Sequence, residues 1–181
     1  MIYRFRIVSD EVSNFKRDIE IDADATFLDL RNAISDAVGY RKDPMASFII
    51  CDDYWEKEKE ITIEDMNDSG DPLLMDECVL ADYLEDEGQK MMYVFDYLTN
   101  RSFYIVLKET TPGKHLDAPV CVASVGEAPA EAVDLDDFDA LNDALASKAA
   151  QGADEYGFDD DYSDQGGYND EDIIDFNEMD Y

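Results

Sequence analysis

The amino-acid sequence predicts an α+β fold in which one principal helix covers a mainly antiparallel sheet, followed by an acidic, largely disordered tail. Several short segments before residue 110 alternate apolar and polar side chains with the period of a strand. Residues 26–40 instead repeat their apolar side chains with a helical period. From Glu127 to Tyr181 the chain has 19 Asp and Glu residues against one Lys, which leaves too little apolar mass for a core.

The first two strands are predicted to form a hairpin. The segment IYRFRIV places Tyr3, Phe5 and Ile7 on one face, and FKRDIEID repeats the alternation a few residues later. The polar residues 9–14 lie between them, so we expect an antiparallel connection.

The segment TFLDLRNAISDAVGY predicts the principal helix. Thr26 is placed as its N-cap, Asp29 lies at the positive end of the helix dipole, and Gly39 provides a stop signal. Its apolar stripe consists of Phe27, Leu30, Ile34 and Val38.

The remaining elements are shorter. SFIICDDYW predicts a third strand, EITIED a fourth, and DECVLADYLEDEG a short helix that ends at Gly88. KMMYVFDY and SFYIVLKE predict two further strands joined by the turn LTNR. The segment after Glu109, TTPGKHLDAPVCVASVGEAPAEA, is rich in Pro, Gly and small residues and is interpreted as an ordered extension leading into a linker.

Composition therefore divides the chain into four parts. Residues 1–126 form a folded head, 127–133 a linker, 134–150 an acidic amphipathic helix, and 151–181 an acidic, aromatic-rich disordered tail. One face of the acidic helix would carry Leu135, Phe138, Leu141 and Leu145.

Net charge limits the possible partners. With 46 Asp and Glu against 14 Lys and Arg, the chain has a formal charge of -32. Direct nucleic-acid binding is not expected because phosphate contacts need clustered Lys and Arg, and anionic membranes would repel the chain. The expected partner is a basic protein surface.

The sequence also predicts a cytoplasmic location. Arg4 and Arg6 interrupt the first apolar segment, unlike a secretory signal, and no apolar run approaches the length of about 20 residues that a spanning helix needs. Cys51, Cys78 and Cys121 are odd in number and far apart, so each is expected to be a small buried residue rather than part of a disulfide framework.

Taken in order along the head, several segments resemble the plasmid pRiA4b ORF-3-like family, also called insertion-element passenger or TnpR-like proteins. They are YRFRI, TFLDLRNAISDAVGY, SFII, LADYLEDEGQK, MMYVFDY and PVCVASVGEAPAE. The resemblance implies the α+β fold of that family and a polar site around Tyr93, Asp96 and Tyr97.

This chain departs from the family pattern at several motifs. Members often carry a Tyr-Asp-Phe-Gly-Asp stretch followed by Trp and His, and this chain retains the start of it at residues 95–97. The Gly, Asp, Trp and His are replaced by Leu98, Thr99, Arg101 and Phe103. DPMASF at 43–48 stands where a His-containing segment is usual, and APAE at 128–131 stands in place of Pro-Pro-Glu-Asp. The resemblance thus implies a family site that has lost its characteristic residues.

The sequence gives little support for nucleophilic catalysis or for a metal site. His115 is the only histidine, so a nucleophile lacks an evident base, and no cysteine has the paired spacing of a zinc site. We expect no catalytic residue, no metal and no cofactor. DYSDQGGYNDED resembles a calcium loop at Asp161, Ser163, Gln165, Gly166 and Asp172. Two of these are poor ligands for their positions, which favours weak cation binding over a site.

The tail is unusual because aromatic side chains recur among its carboxylates. It could be a solubility device, or it could bind a basic surface on transcription, translation or DNA-handling machinery as a nucleic-acid mimic, which we favour. The predicted partner-binding residues are Tyr156, Phe158, Tyr162, Tyr168, Ile173, Ile174, Phe176, Met179 and Tyr181. The alternative function is a divergent enzyme or small-ligand-binding domain with a pocket around Asp96.

Overall fold

The computed structural model describes residues 1–42, 45–65 and 70–132, and within them seven strands form one sheet. The strands are β1 (Ile2–Val8), β2 (Lys16–Asp22), β3 (Ser47–Cys51), β4 (Lys57–Thr62), β5 (Lys90–Asp96), β6 (Arg101–Thr111) and β7 (Val120–Val125), and the α-helix is α1 (Phe27–Val38). Their order across the sheet is β4-β3-β5-β6-β1-β2-β7, and all neighbours are antiparallel. The predictions for 134–150 and 151–181 lie outside the described residues.

The predicted opening hairpin is confirmed. Strand β1 pairs with β2 from Ile2 opposite Asp22 to Val8 opposite Lys16. On its other side β1 pairs with β6, so the first strand of the chain lies inside the sheet.

The predicted principal helix is confirmed together with both of its caps. The Thr26 hydroxyl accepts a hydrogen bond from the Asp29 backbone N–H, and the Asp29 carboxylate accepts one from the Thr26 N–H. This is a capping box, which satisfies two N–H groups at the helix start. Gly39 ends the helix with φ 77°, a conformation that suits glycine. Phe27, Leu30 and Ile34 are fully buried.

The predicted second helix is wrong in extent. Of DECVLADYLEDEG, only Leu80–Asp82 is helical, as a 3₁₀ turn. The backbone there bonds to the segment before α1 instead: the Leu80 N–H donates to Ala25 O at 2.9 Å and the Ala81 N–H to Ala23 O at 3.0 Å. Tertiary pairing therefore replaces the helical bonds that the periodicity predicts.

The predicted third strand is too long. It stops at Cys51 because Asp52 begins a turn, in which its carboxylate accepts hydrogen bonds from the Tyr54 and Glu56 N–H groups. Strand β4 starts earlier than expected, at Lys57.

Residues 120–125, interpreted from the sequence as an extension, form a strand. Strand β7 pairs with β2 from Lys16 opposite Val125 to Glu20 opposite Val120, with a bulge between Asp18 and Ile19. Because VCVASV has no clear apolar alternation, its strand character comes from pairing with a distant segment.

The core lies between α1 and one face of the sheet. Its largest fully buried side chains are Tyr3, Phe5, Phe27, Phe48, Phe103, Ile7, Ile19, Ile21, Leu30, Ile34, Ile61 and Met75. Cys51 and Cys78 are buried as expected, whereas Cys121 is exposed, because it lies on the edge strand β7. No helix in the described part of the chain is long and apolar enough to cross a membrane.

Candidate functional site

Two segments that the sequence resemblance singled out, 95–103 and 128–131, meet at one end of the sheet. Arg101, at the start of β6, donates from Nη2 to the Ala130 carbonyl at 2.7 Å and from Nη1 to the Glu131 carbonyl at 3.4 Å. The segments 95–103 and 128–131 are therefore joined by Arg101.

The other donors of Arg101 face carboxylates. Its Nε and Nη2 donate to the two oxygens of Glu11, each at 2.8 Å, and Nη1 lies 3.9 Å from Asp96 Oδ2. The arginine side chain is only 10% exposed. We call Glu11, Asp96, Arg101, Ala130 and Glu131 the Arg101 clamp. Its bidentate geometry matches the planar guanidinium fork.

Two residues that follow α1, Tyr40 and Arg41, hold the same segment as well. The Tyr40 hydroxyl donates to the Pro129 carbonyl at 2.6 Å, and the Arg41 backbone N–H donates to Glu131 Oε1 at 2.9 Å. The Tyr40 ring packs on Phe95 and Phe103 with centroid distances of 5.2 and 5.8 Å. Phe103 thus contributes to an aromatic cluster.

The electrostatics of this region favour fixed charge states. The hydrogen bonds that Arg101 donates to Glu11 raise the pKa of Arg101. Burial opposes ionisation of Asp96, but hydrogen bonds from the Thr99 hydroxyl and backbone bring the pKa of Asp96 below its ordinary value. Burial raises the pKa of Tyr40. These three groups therefore keep one protonation state near neutral pH, which suits holding a segment better than transferring protons.

The structure places Tyr93, Asp96 and Tyr97 in three different surroundings. Tyr93 is buried in the core with its ring 4.9 Å from that of Phe48. Asp96 accepts hydrogen bonds from the turn that follows it, as well as lying beside Arg101. Tyr97 is partly exposed, and its hydroxyl is 3.4 Å from Glu60 of β4. Of the three, Asp96 belongs to the Arg101 clamp.

Sequence reasoning missed Glu11 and Tyr40 as members of this region. Glu11 lies in the first hairpin loop, 90 residues from Arg101, and no periodicity links them. The available signal was Arg101 itself, which adjoins the apolar segment SFYIVL, because a buried arginine needs a carboxylate partner.

A second polar cluster joins the loop that contains His115 to Asp22 at the end of β2. The His115 Nδ1 lies 3.0 Å from Asp22 Oδ2, and Asp22, Asp24 and His115 bring potential ligand atoms within 4.8 Å of one another. Both oxygens of Asp22 already accept backbone N–H groups, from Asp24 and Leu116, each at 3.1 Å. These bonds lower the pKa of Asp22 and give the cluster a structural role in attaching the loop to β2.

An ion-pair triad lies on the face of the sheet that α1 does not cover. Asp18 of β2 is 1% exposed and accepts two hydrogen bonds of 2.9 Å from Arg6 and one of 3.0 Å from Arg4. The hydrogen bonds from Arg6 contribute most to lowering the pKa of Asp18. The triad therefore stabilises the pairing of β1 with β2.

The predicted partner-binding residues of the tail and the calcium-like loop at 161–172 lie outside the described residues. Their roles stay predictions.

An antiparallel seven-stranded sheet with one covering α-helix, as seen in the described residues, defines a protein of the α+β class. Within that class, the chain belongs to the plasmid pRiA4b ORF-3-like protein family, which it matches over residues 1–176. This match confirms the resemblance found in the sequence.

A crystal structure of a protein of unknown function from Methanosarcina mazei Go1 has a similar fold. It shares 22% identity with this chain, the alignment covers 68% of each chain, and the TM-score is 0.52. At that identity the likeness concerns the fold alone. No curated protein matches the chain.

Proposed function

We propose that the protein is a non-enzymatic interaction module whose C-terminal region, residues 151–181, binds a basic protein surface. The observation that carries the proposal is the composition of residues 127–181, which combine 19 carboxylates with six Tyr and Phe residues after position 150. Solubilising segments are usually poor in aromatic residues, so their recurrence favours recognition.

The chemistry of this region resembles that of a nucleic-acid strand. Carboxylates can pair with Lys and Arg, while aromatic rings stack on guanidinium planes or fill shallow pockets. Negative charge alternating with stacking surfaces is what proteins that bind single strands recognise. The partner class is therefore a basic surface of transcription, translation or DNA-handling machinery.

The apolar residues near the C-terminus would add an anchor. Ile173, Ile174 and Phe176 lie close together in sequence, with Met179 three residues beyond. A buried apolar cluster ringed by charged contacts is the usual source of affinity in protein interfaces.

The described part of the molecule supports a non-enzymatic role. The donors of the Arg101 clamp face Glu11, Asp96 and two backbone carbonyls, so the arginine is committed to structural contacts. The same contacts hold residues 130–131, near the start of the acidic region that begins at Glu127. The alternative, an enzyme or small-ligand domain around Asp96, has weaker support because Asp96 is engaged with Thr99 and Arg101.

The proposal is tested by affinity capture from native cytosol followed by protein identification. The full chain is compared with a variant that retains every carboxylate but has its six tail aromatics replaced by serine: Tyr156, Phe158, Tyr162, Tyr168, Phe176 and Tyr181. A second variant neutralises six tail Asp residues and keeps the aromatics. A truncation after Ala132, which retains the clamp carbonyls, removes the whole region.

We expect a defined basic protein to be captured by the full chain, lost with the truncation, and strongly reduced with either substitution variant. Capture should also weaken as salt rises, because screened charges contribute less. A partner list that is unchanged by truncation and insensitive to salt would contradict the proposal, and lower solubility of the truncated chain would then support a solubilising role.

A further inference from the structure

The edge strand β7 offers unpaired backbone beside apolar side chains. Strand β2 pairs with one side of β7, and none of the strands in the described residues pairs with the other. Its sequence, VCVASV, contains no charged residue, and Val120, Val122 and Val125 are 47%, 43% and 40% exposed. An uncharged, apolar edge of this kind is a template for an added strand.

The opposite edge is chemically different. Strand β4 begins Lys-Glu-Lys-Glu, with charged side chains of the kind that discourage strand addition. The two edges of the sheet therefore differ, and only the β7 edge combines unpaired backbone with an uncharged sequence.

A groove lies beside the start of β7, on the face of the sheet that α1 covers. It has a volume of about 420 Å³ and lies between the helix and the segment that leads into β7. Its lining residues are Asp29, Asn32, Ala33, Asp36, Ala37, Ala118, Pro119 and Cys121. The small side chains leave space for a long side chain, and Asp29 and Asp36 make the surroundings acidic.

The two carboxylates differ in their availability. Asp29 is committed to the helix cap through Thr26. Asp36 is largely exposed and pairs with Lys42 at 2.6 Å, through one oxygen. Its second oxygen can accept a cation, so Asp36 is the group that an incoming Lys or Arg would contact.

We propose that β7 binds an extended basic peptide segment of another protein by strand addition. Main-chain hydrogen bonds to β7 provide the affinity, and alternate side chains provide specificity. Lys or Arg side chains on one face of the added strand reach the groove at Asp36, and apolar side chains on the other face cover Val120 and Val125. This site lies within the described head and is independent of the proposed function of residues 151–181.

A second copy of the chain is a less suitable occupant. An isologous pair of β7 strands would have a twofold axis perpendicular to the sheet, which brings both copies of α1 to the same face. Asp36 of each copy would then lie near the junction, between two chains of formal charge -32. Like charges brought together in this way oppose association.

The test uses the full chain and synthetic peptides of eight residues with blocked ends. One peptide alternates Lys and Val, and its control alternates Lys and Pro, which has the same charge but lacks half of the backbone N–H groups. Affinity is measured by fluorescence anisotropy at physiological salt, and amide hydrogen exchange is followed at residues 120–125.

We expect the Lys-Val peptide to protect outward-facing amides of β7 and to bind at least roughly tenfold tighter than the Lys-Pro peptide, the ratio expected for two or more lost hydrogen bonds. Val122→Lys should reduce the affinity of the Lys-Val peptide to that of the control peptide, whereas Leu98→Lys, in an exposed turn away from β7, should not.

Asp36→Asn should weaken binding of the Lys-Val peptide by about two- to fivefold, as expected for one exposed ion pair. Glu109→Gln, also an exposed and paired carboxylate, is its matched control.

Equal binding of both peptides without protection of β7 would overturn the proposal and assign the binding to nonspecific attraction by acidic residues. Protection of the outer β7 amides in the free chain would also overturn it. If sedimentation then showed a dimer that Val122→Lys dissociates, the occupant would be a second copy. The peptide controls keep the test decisive even if Val122→Lys affects folding, which circular dichroism will show.

Discussion

The two edge strands are attached to the same sheet in different ways. Strand β4 belongs to a local hairpin with β3, whose turn is formed by the carboxylate of Asp52. Strand β7 pairs with β2, from which it is separated by 100 to 109 residues in sequence, and the Arg17 guanidinium donates to the carbonyls of Val125 and Gly126 at the end of β7. The edge at β4 is thus held by a local turn, whereas the edge at β7 is held by pairing with a distant strand and by one arginine that binds its backbone.

The comparison predicts that a substitution at the end of β7 destabilises the protein more than the same substitution elsewhere in the chain. The largest effect is expected for Gly126→Ala. Gly126 has φ 67°, and a Cβ there would lie 2.2 Å from the Asn14 carbonyl oxygen. The backbone must move to accommodate it, so we expect a loss of about 3 kcal/mol in the free energy of unfolding, measured with urea.

Gly113→Ala is the matched control for this substitution. Gly113 has a similar φ of 74°, but a Cβ there meets nothing within 4 Å. Only the conformational cost of about 1 kcal/mol should appear. Equal losses at the two positions would show that the contact with Asn14 is unimportant.

A smaller effect is expected for Arg101→Leu. This substitution removes the hydrogen bonds of the Arg101 clamp, which hold the segment that follows β7 in sequence. Because the side chain is 10% exposed and bonds to Glu11 and two carbonyls, we expect a loss of about 2 kcal/mol in the free energy of unfolding. Proteolysis near residues 127–132 should accelerate. The exposed Arg41, changed to Leu, should cost no more than about 0.5 kcal/mol; similar losses for the two arginines would contradict the clamp.

The ion-pair triad gives a pH-dependent prediction. Since the folded-state pKa of Asp18 is lowered, its contribution to stability is present above the ordinary carboxyl range and is lost as the pH falls through the folded value. At pH 7, Asp18→Asn should lower the free energy of unfolding by about 1.5 kcal/mol. The difference from the natural chain should shrink towards pH 2.

Chemical denaturation between pH 7 and pH 2 tests this prediction. Glu20→Gln, on the same face of β2, is the control and should stay within about 0.5 kcal/mol of the natural chain. A difference for Asp18→Asn that is constant over the whole range would rule out the ionised triad as its source.

The smallest effect on stability is expected for Glu58→Val in β4. The side chain is exposed, so the free energy of unfolding should change by no more than about 0.5 kcal/mol. Association should nevertheless increase, because a charged residue that discourages strand addition is lost. Sedimentation velocity at raised salt measures this, and a strictly unchanged profile would indicate that other features protect β4.

The sequence predicted elements whose signals are local. The helix α1 is an example, since Thr26, Asp29 and Gly39 form both caps within 14 residues. The β1–β2 hairpin is another, because its two alternating segments are adjacent in the chain.

Elements that depend on distant pairing were missed. Strand β7 carries little alternation and is defined by Ile19 and its neighbours in β2. The segment around Leu80 has helical spacing but forms hydrogen bonds to residues before α1. The Arg101–Glu11 pair joins the start of β6 to the first hairpin loop, 90 residues away in sequence. In each case the deciding partner lies outside any sequence window.

The position of β1 inside the sheet has a consequence for synthesis of the protein on the ribosome. Ile2 at the start of β1 is opposite Thr111 of β6. At elongation rates of about 5 to 20 residues per second, β6 emerges roughly 5 to 20 s after β1. During that interval the nascent hairpin exposes Tyr3, Phe5 and Ile7, and the edge of β1 that will pair with β6 has no partner. The protein therefore completes its core only when most of the folded part has left the exit tunnel, and early chains are suitable clients for ribosome-associated chaperones.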